Sequence, residues 1–241
     1  MIVWALIPAR GGSKSIPLKN LLLLGGIPLL EFGVRAAQAS KRITRIVCST
    51  DNDAIAERAR SLQIEVDRRP AHLATDDAPV ADTACEFLAR NGSPDILVLV
   101  QPTSPFLLQE HIDALLDSMG RDPAAQSGQT VVPCPHNHHA WNQREIVGGH
   151  VRFKFSAERA AAYNKQSKPK MYVFGNLVAA RPAALLAGKG FFAEPSVAVE
   201  ICPPYDFDLD GPGDVAVAEA MLRAGSVQLP HMKTVLPQTS T

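Results

Sequence analysis

Val3-Trp4-Ala5-Leu6-Ile7-Pro8 runs directly into Ala9-Arg10-Gly11-Gly12-Ser13-Lys14-Ser15-Ile16-Pro17-Leu18-Lys19-Asn20. The first stretch is apolar and closed by a proline, the pattern of a short buried strand. The second stretch has the opposite character. Two adjacent glycines free the backbone, and Arg10, Lys14 and Lys19 supply positive charge with no acidic residue anywhere in the first twenty. A strand ending in such a loop can present backbone N–H groups and cations to a phosphate chain. On composition alone, a solvated basic loop competes with that reading. Neither GxxxxGKS/T nor GxGxxG is present. A Walker loop is therefore excluded, and an NAD-dependent oxidoreductase lacks its fingerprint.

Strands and helices alternate outward from this loop. Pro28–Gln38 has helical apolar spacing, Ile43–Ser49 reads as a strand, and Asp51–Leu62 reads as a helix capped by Asp51 or Asn52. Ile64-Glu65-Val66 is a third short strand candidate, Asp76–Arg90 is helical after Pro79, and Asp95–Val100 is the clearest buried strand. The alternation predicts an α/β fold: a Rossmann-like, mostly parallel sheet that binds ligands at the carboxyl ends of its strands. Pro8–Asn20, Ser49–Asp53 and Gln101–Pro105 are the loops expected there. Farther on, Arg121–His139 reads as irregular. Val147–Phe155 and Met171–Val178 read as strands around a basic segment, Asn164–Lys170. Val197–Ile201 is another strand candidate, Asp214–Leu222 a closing helix, and the tail from Gly225 has little periodicity.

The 241 residues suit one large domain, or one domain with an appendage. An apolar share of 46% excludes a disordered chain. Lys+Arg 24 against Asp+Glu 24 excludes a nucleic-acid binder that works by bulk charge, while leaving room for a local phosphate site. Apolar runs such as Ile96–Val100 fall far short of the ~20 residues that span a bilayer. No basic region precedes the opening apolar stretch, so neither a membrane partner nor a signal peptide is expected. Cys48, Cys85, Cys134 and Cys202 form no CxxC pair, which suits a reduced, cytoplasmic protein. Near the far end Asp206, Asp208 and Asp210 alternate, with Asp214 four residues on. In an extended segment Asp208 and Asp210 share one face, and paired carboxylates suit Mg²⁺. A solvated turn is the plainer alternative.

The string Ile7–Asn20 resembles the signature loop of the acylneuraminate cytidylyltransferases, the CMP-sialic acid synthetases and their relatives for other nine-carbon keto acids. The resemblance continues through Gly26-Ile27-Pro28-Leu29-Leu30, Val47-Cys48-Ser49-Thr50-Asp51, Arg68-Arg69-Pro70-Ala71, Gln101-Pro102-Thr103-Ser104-Pro105 and Asp206-Phe207-Asp208-Leu209-Asp210. It implies a nucleotidyltransferase that joins CTP to the anomeric hydroxyl of a 2-keto sugar acid (a nonulosonic, sialic-type acid) and releases pyrophosphate. The chemistry would be in-line attack on the α-phosphorus.

The resemblance also implies roles. Arg10 and Lys19 bind the triphosphate and, with Asp208, form the catalytic set, since fixed cations stabilise charge on a departing pyrophosphate. Gly11, Gly12, Ser13 and Asn20 contact the nucleotide, Arg69 or its neighbour Arg68 lies by the cytosine, and Asp77 lies on the nucleotide side. Helix capping competes as a role for Asp51, Asp76 and Asp77. Gln101, Lys165, Gln166 and Tyr172 are substrate-side residues, and Asp208 and Asp210 hold magnesium. No general base is identified. Family members are commonly homodimers in which the section after the central sheet covers the partner's sugar. A core of 1–139 and 196–225 is therefore expected, with a dimerisation and substrate-covering extension at 140–195 and a tail at 226–241. CMP-activation of 3-deoxy-manno-octulosonate is an alternative, disfavoured by Gly11-Gly12-Ser13-Lys14. A non-catalytic nucleotide-binding relative is another, disfavoured by the joint presence of Arg10, Lys19, Asp208 and Asp210.

The match weakens in the centre. Family members carry Arg-Arg-Gln or Arg-x-Gln and then Leu-Tyr-Glu-Asn-Gly, where this chain has Asn164-Lys165-Gln166 and Met171-Tyr172-Val173-Phe174-Gly175. Val173 and Phe174 thus replace a polar pair, so the acyl and glycerol side of the substrate is expected to differ. Arg69-Pro70-Ala71-His72-Leu73 leans toward the pseudaminate- and legionaminate-type relatives. Cys134, His136, His138 and His139 fit no standard zinc spacing, and a flexible histidine-bearing loop is expected there.

Overall fold

The apolar run at the start of the chain forms β1 (Val3–Pro8), in which Val3, Ala5, Leu6 and Ile7 are fully buried. The computed structural model describes residues 1–13, 15–162 and 164–233, without the Lys165 side chain. In chain order β1 is followed by a small hairpin of β2 (Leu23–Leu24) and β3 (Ile27–Pro28), then α1 (Leu29–Ala39), β4 (Arg45–Thr50), α2 (Asp53–Ser61) and β5 (Glu65–Arg68). Next come α3 (Val80–Asn91), β6 (Ile96–Leu99), α4 (Gln109–Arg121) and β7 (Ser127–Pro133). A second hairpin, β8 (Arg144–Val147) and β9 (His150–Phe153), leads to the short α5 (Ser156–Ala161). The chain then adds β10 (Tyr172–Ala180), α6 (Pro182–Leu186), β11 (Ser196–Glu200) and α7 (Pro212–Arg223).

One seven-stranded sheet runs β11-β7-β10-β6-β1-β4-β5. Neighbouring strands are parallel except where β10 pairs antiparallel with β6 and β7. The mostly parallel α/β architecture expected from the alternation is the one observed. Strand periodicity divides the core. Ala5 and Ile7 face a cluster with Leu30 and Val34 of α1, Ile55 of α2, and Ile112, Leu115 and Met119 of α4. Leu6 faces the other side, with Phe87 and Leu88 of α3 and Leu185 of α6. A third cluster gathers Leu24, Phe32, Phe106, Leu209 and Ala218 with Val227, Leu229 and Met232.

Three expectations need correction. Arg121–His139 is not irregular throughout, because β7 occupies Ser127–Pro133 inside the sheet. Its Ser127 and Thr130 are buried polar residues, and Gly128 lies under α4, so the segment lacks the apolar run of a core strand. Within the 140–195 stretch, β10 lies between β6 and β7 of the sheet and α6 packs beside α3, while 140–170 stands outside the sheet. Val147–Phe155 is the turn and second arm of a hairpin, bent at Gly148 and Gly149, both at positive φ. The tail, finally, is docked as far as Met232, which is buried with Val227 and Leu229.

Gly128 shows how tightly α4 is seated. A β-carbon there would fall 2.8 Å from Val197, 2.9 Å from Leu115 and 2.9 Å from Met119. Gly128→Ala is expected to destabilise the fold by about 1–3 kcal/mol through overpacking. A lowered melting temperature in thermal denaturation checks this, and an unchanged one refutes it.

Candidate active site

Three loops meet at the carboxyl ends of β1, β4 and β6, the edge at which parallel α/β sheets bind ligands. Ala9 N donates to Ser49 O at 2.9 Å, and Gly11 N donates to the Asp51 carboxylate at 2.8 Å. The loop then folds back on itself, with Asn20 Nδ2 donating to Arg10 O at 2.9 Å. Gly11 must be small, because a β-carbon would lie 2.9 Å from the Asn52 side chain. Asn52 caps α2 by accepting from Ile55 N at 3.1 Å, which leaves Asp51 to hold the loop. Arg10 pairs with Asp76 at 2.6 Å, so Asp76 is a partner of the basic loop, while Asp77 beside it is exposed. Gly12 has open space around it, and Lys14 lies outside the described residues.

The acidic segment comes to the same place from the far end of the chain. Lys19 Nζ donates to Leu209 O at 3.0 Å and to Asp210 O at 2.9 Å. Leu209 N donates to Thr103 O at 2.8 Å, which ties the segment to the loop after β6. Leu209 is fully buried in the third core cluster, so alternation turns its two flanking aspartates outward. Partial loss of water around its carboxyl holds Asp208 above the usual carboxylate range. The Thr103 hydroxyl and Lys19 oppose that rise, and the charges of Asp210 and Asp214 add to it. Asp214 behaves differently. It accepts from Gly211 N at 2.8 Å and Asp210 N at 2.9 Å, which lowers its pKa and makes it the cap of α7.

The two neighbouring arginines separate. Arg68 turns outward to pair with Asp53, whereas Arg69 is buried and donates from Nη2 to Ser49 O at 2.8 Å. Behind it Asp67 accepts from the Ser49 hydroxyl at 3.1 Å and pairs with Arg90 at 2.7 Å. Burial lowers the Arg69 pKa, and the carboxylate of Asp51 is the main opposing charge.

The residues expected on the sugar side are more dispersed. Gln101 is half-buried at the end of β6, and Gln166 is exposed. The Lys165 side chain falls outside the described part of the chain. Tyr172 opens β10, and because β10 runs against β6 it emerges on the same edge as the basic loop, over the other half of the sheet. There it lines a cleft with His136, His139, Lys168, Lys170 and Glu200, and the Glu200 carboxylate holds the phenol pKa above its usual value. The histidines sit on two short 3₁₀ turns, not on a shapeless loop. His139 Nε2 contacts Pro169 O at 3.1 Å and its Nδ1 accepts from Trp141 N, so both ring nitrogens are engaged. Among the described residues no group of three or more His, Cys, Asp or Glu side chains is placed to hold a metal. Two groups escaped the sequence reading: Thr103, which holds the acidic segment, and Asp51 as a ligand of the loop rather than a cap. Both lie in motifs already singled out.

Comparison with known proteins agrees with this geometry. The sequence model of the family described as Cytidylyltransferase matches residues 4–169. An N-acylneuraminate cytidylyltransferase of Oncorhynchus mykiss is 37% identical over 61% of this chain and 33% of its own length. The chain thus spans about a third of that relative. A CMP-N,N'-diacetyllegionaminic acid synthase of Legionella pneumophila is 29% identical over 92% of this chain and 97% of its own length. In fold, the chain is similar to a CMP:2-keto-3-deoxy-manno-octonic acid synthetase solved with CTP. The TM-score is 0.71 at 16% identity, covering 93% of this chain and 100% of that one. The basic loop joined to an acidic segment at the strand ends therefore sits in a member of the cytidylyltransferase family.

Proposed function

We propose that this protein transfers CMP from CTP to the anomeric hydroxyl of a nonulosonic acid, with release of pyrophosphate. The observation that carries this reading is the junction of Lys19 with the Asp208–Asp210 segment, a phosphate-type cation site meeting a carboxylate pair at a ligand-binding edge. Arg10, Lys19 and the N–H groups of Gly12 and Ser13 hold the triphosphate and stabilise the charge that gathers on pyrophosphate as it leaves. Arg69, fixed against Ser49, faces the base. Gln101 and the residues around Tyr172 orient the sugar acid.

Magnesium fits the acidic segment. Asp208 and Asp210 offer oxygen donors only and repel one another, while Lys19 is engaged with backbone carbonyls and does not neutralise them by direct pairing. Mg²⁺ is commonly held by one or two carboxylates plus phosphate oxygens, so this pair suffices. When bound, the ion supplies charge neutralisation across the phosphates. A second copy of the chain is the expected partner. Ile146 and Val151 on the β8–β9 hairpin are 75% and 64% exposed, and Val173 and Phe174 on β10 add further exposed apolar surface that a dimer would cover. A reducing, cytoplasmic setting suits the four free cysteines.

The test is pyrophosphate release with CTP and Mg²⁺ across a panel of sialic, legionaminic and pseudaminic acids, with 3-deoxy-manno-octulosonate included. One nonulosonic acid is expected to be turned over at least tenfold better than 3-deoxy-manno-octulosonate. The reverse preference assigns the protein to that substrate, and normal CTP binding without turnover of any acid overturns the reading.

A further inference from the structure

A buried polar network lies between β10 and the acidic segment, apart from the phosphate loop and the cleft around Tyr172. The β10–β7 ladder loses register between Phe174 and Val178, and at this interruption Asn176 points inward with only 1% of its surface exposed. The fully buried hydroxyl of Thr130 fills the break, accepting from the backbone N of Asn176 and of Leu177, each at 2.9 Å. Its own hydrogen remains to be given, with the Asn176 carbonyl oxygen 3.1 Å away and Leu177 O 3.3 Å away. Tyr205 O on the other side of the amide can only accept, and it fixes which end of the amide is nitrogen. The NH₂ end is then aimed at two acceptors, Tyr205 O at 2.8 Å and His111 Nδ1 at 3.0 Å. His111 Nδ1 also lies 3.4 Å from Leu108 N, so with N–H groups on both sides it accepts and the ring carries its hydrogen on Nε2. Burial lowers the His111 pKa to about 4, against the opposing charge of Glu110, so the ring remains a neutral acceptor near neutral pH.

Tyr205 O begins the stretch that carries the aspartates. That stretch is held in the middle by Thr103 O and at its end by Lys19 and Asp214. The Asn176 amide is the anchor at its start, and the His111 ring packs edge-on against Tyr205 with centroids 5.7 Å apart.

We propose that Asn176 is a positioning residue for the carboxylate pair: from the β10 bulge, oriented by Thr130 and backed by His111, it sets where Asp208 and Asp210 stand. The proposal rests on the reading of those aspartates as the metal-binding pair. Groups that orient metal ligands from behind typically change metal affinity or activity about 10–100-fold when altered.

The experiment is titration of Mn²⁺, followed by electron paramagnetic resonance, into protein saturated with CTP, which needs no sugar substrate. Asn176→Asp keeps the shape and the contact to Thr130 but sets a carboxylate oxygen against Tyr205 O. Its Mn²⁺ dissociation constant is expected to rise about tenfold or more, with kcat falling in parallel and KM for CTP changing less than threefold. His111→Gln, which retains an acceptor, is expected to stay within about threefold of the parent, whereas His111→Leu shifts Mn²⁺ affinity in the direction of Asn176→Asp. Folded Asn176→Asp with parental Mn²⁺ affinity and kcat, altered only in melting temperature, overturns the proposal. Should that variant not fold, equal Mn²⁺ affinities of the two His111 variants overturn it. Asp208→Asn, titrated alongside, separates the levels. If it binds Mn²⁺ as tightly as the parent, the metal assignment itself is wrong. If it loses Mn²⁺ while Asn176→Asp does not, the positioning role alone is wrong.

Discussion

Asp208→Asn is expected to lose about 10²-fold or more in kcat while binding CTP unchanged in the absence of divalent cations. The substitution is isosteric, so Leu209 keeps its buried place and its bond to Thr103 O. What disappears is one of two charges that the fold holds together against their repulsion. Crowding and the charges of Asp210 and Asp214 raise Asp208, and the Thr103 hydroxyl and Lys19 only partly offset them. Calorimetric CTP binding in chelator, set beside pyrophosphate release in Mg²⁺, checks the result. Turnover equal to the parent would move the metal to other residues.

Lys19→Met is expected to lose both CTP affinity and kcat, about 10²–10³-fold in kcat/KM. The ammonium has two tasks. It contributes positive charge to the loop, and it bridges the carbonyls of Leu209 and Asp210 across 190 residues of chain. Hydrogen bonds from a charged donor contribute about 1.5–3 kcal/mol, so the melting temperature should fall as well. Lys19→Arg retains the charge without the compact ammonium that two adjacent carbonyls can share. It is expected to recover CTP binding more fully than turnover, and pyrophosphate-release kinetics with CTP titration distinguish the two. Loss of CTP binding with kcat intact would show that the bridge to the acidic segment has no part in the chemistry.

The first half of the fold was legible because its strands are written in apolar residues. β1 and β6 are runs closed by polar loops, and α1, α2 and α3 fall within a few residues of their expected places. β7 was hidden because its core-facing positions include Ser127, Gly128 and Thr130, chosen for close packing and hydrogen bonding instead of hydrophobicity. α4 was readable and passed over, since Ile112, Leu115, Leu116 and Met119 form a helical stripe. The docked tail was missed because Val227, Leu229 and Met232 are too sparse to show a period. At the site, residue types and motifs indicated Arg10, Lys19 and the aspartates. Sequence could not show how they are joined, because Lys19 grips backbone carbonyls, which every residue possesses. The same holds for Asn176, whose partners are a backbone oxygen, a ring nitrogen and a threonine in the strand that was overlooked.

The reversed direction of β10 has a consequence for how such a protein can diversify. Because this strand enters the sheet from the ligand edge, everything between β7 and β10 is inserted at the rim of the site and returns to it. The phosphate loop and the acidic segment are built from other parts of the chain and are anchored to β1, β4, β6, β10 and α7. The insertion can therefore lengthen, shorten or change its side chains without disturbing the nucleotide machinery. Under the proposed function, acceptor choice becomes a replaceable module, and exchange of residues 140–170 between relatives is the natural way to redirect it.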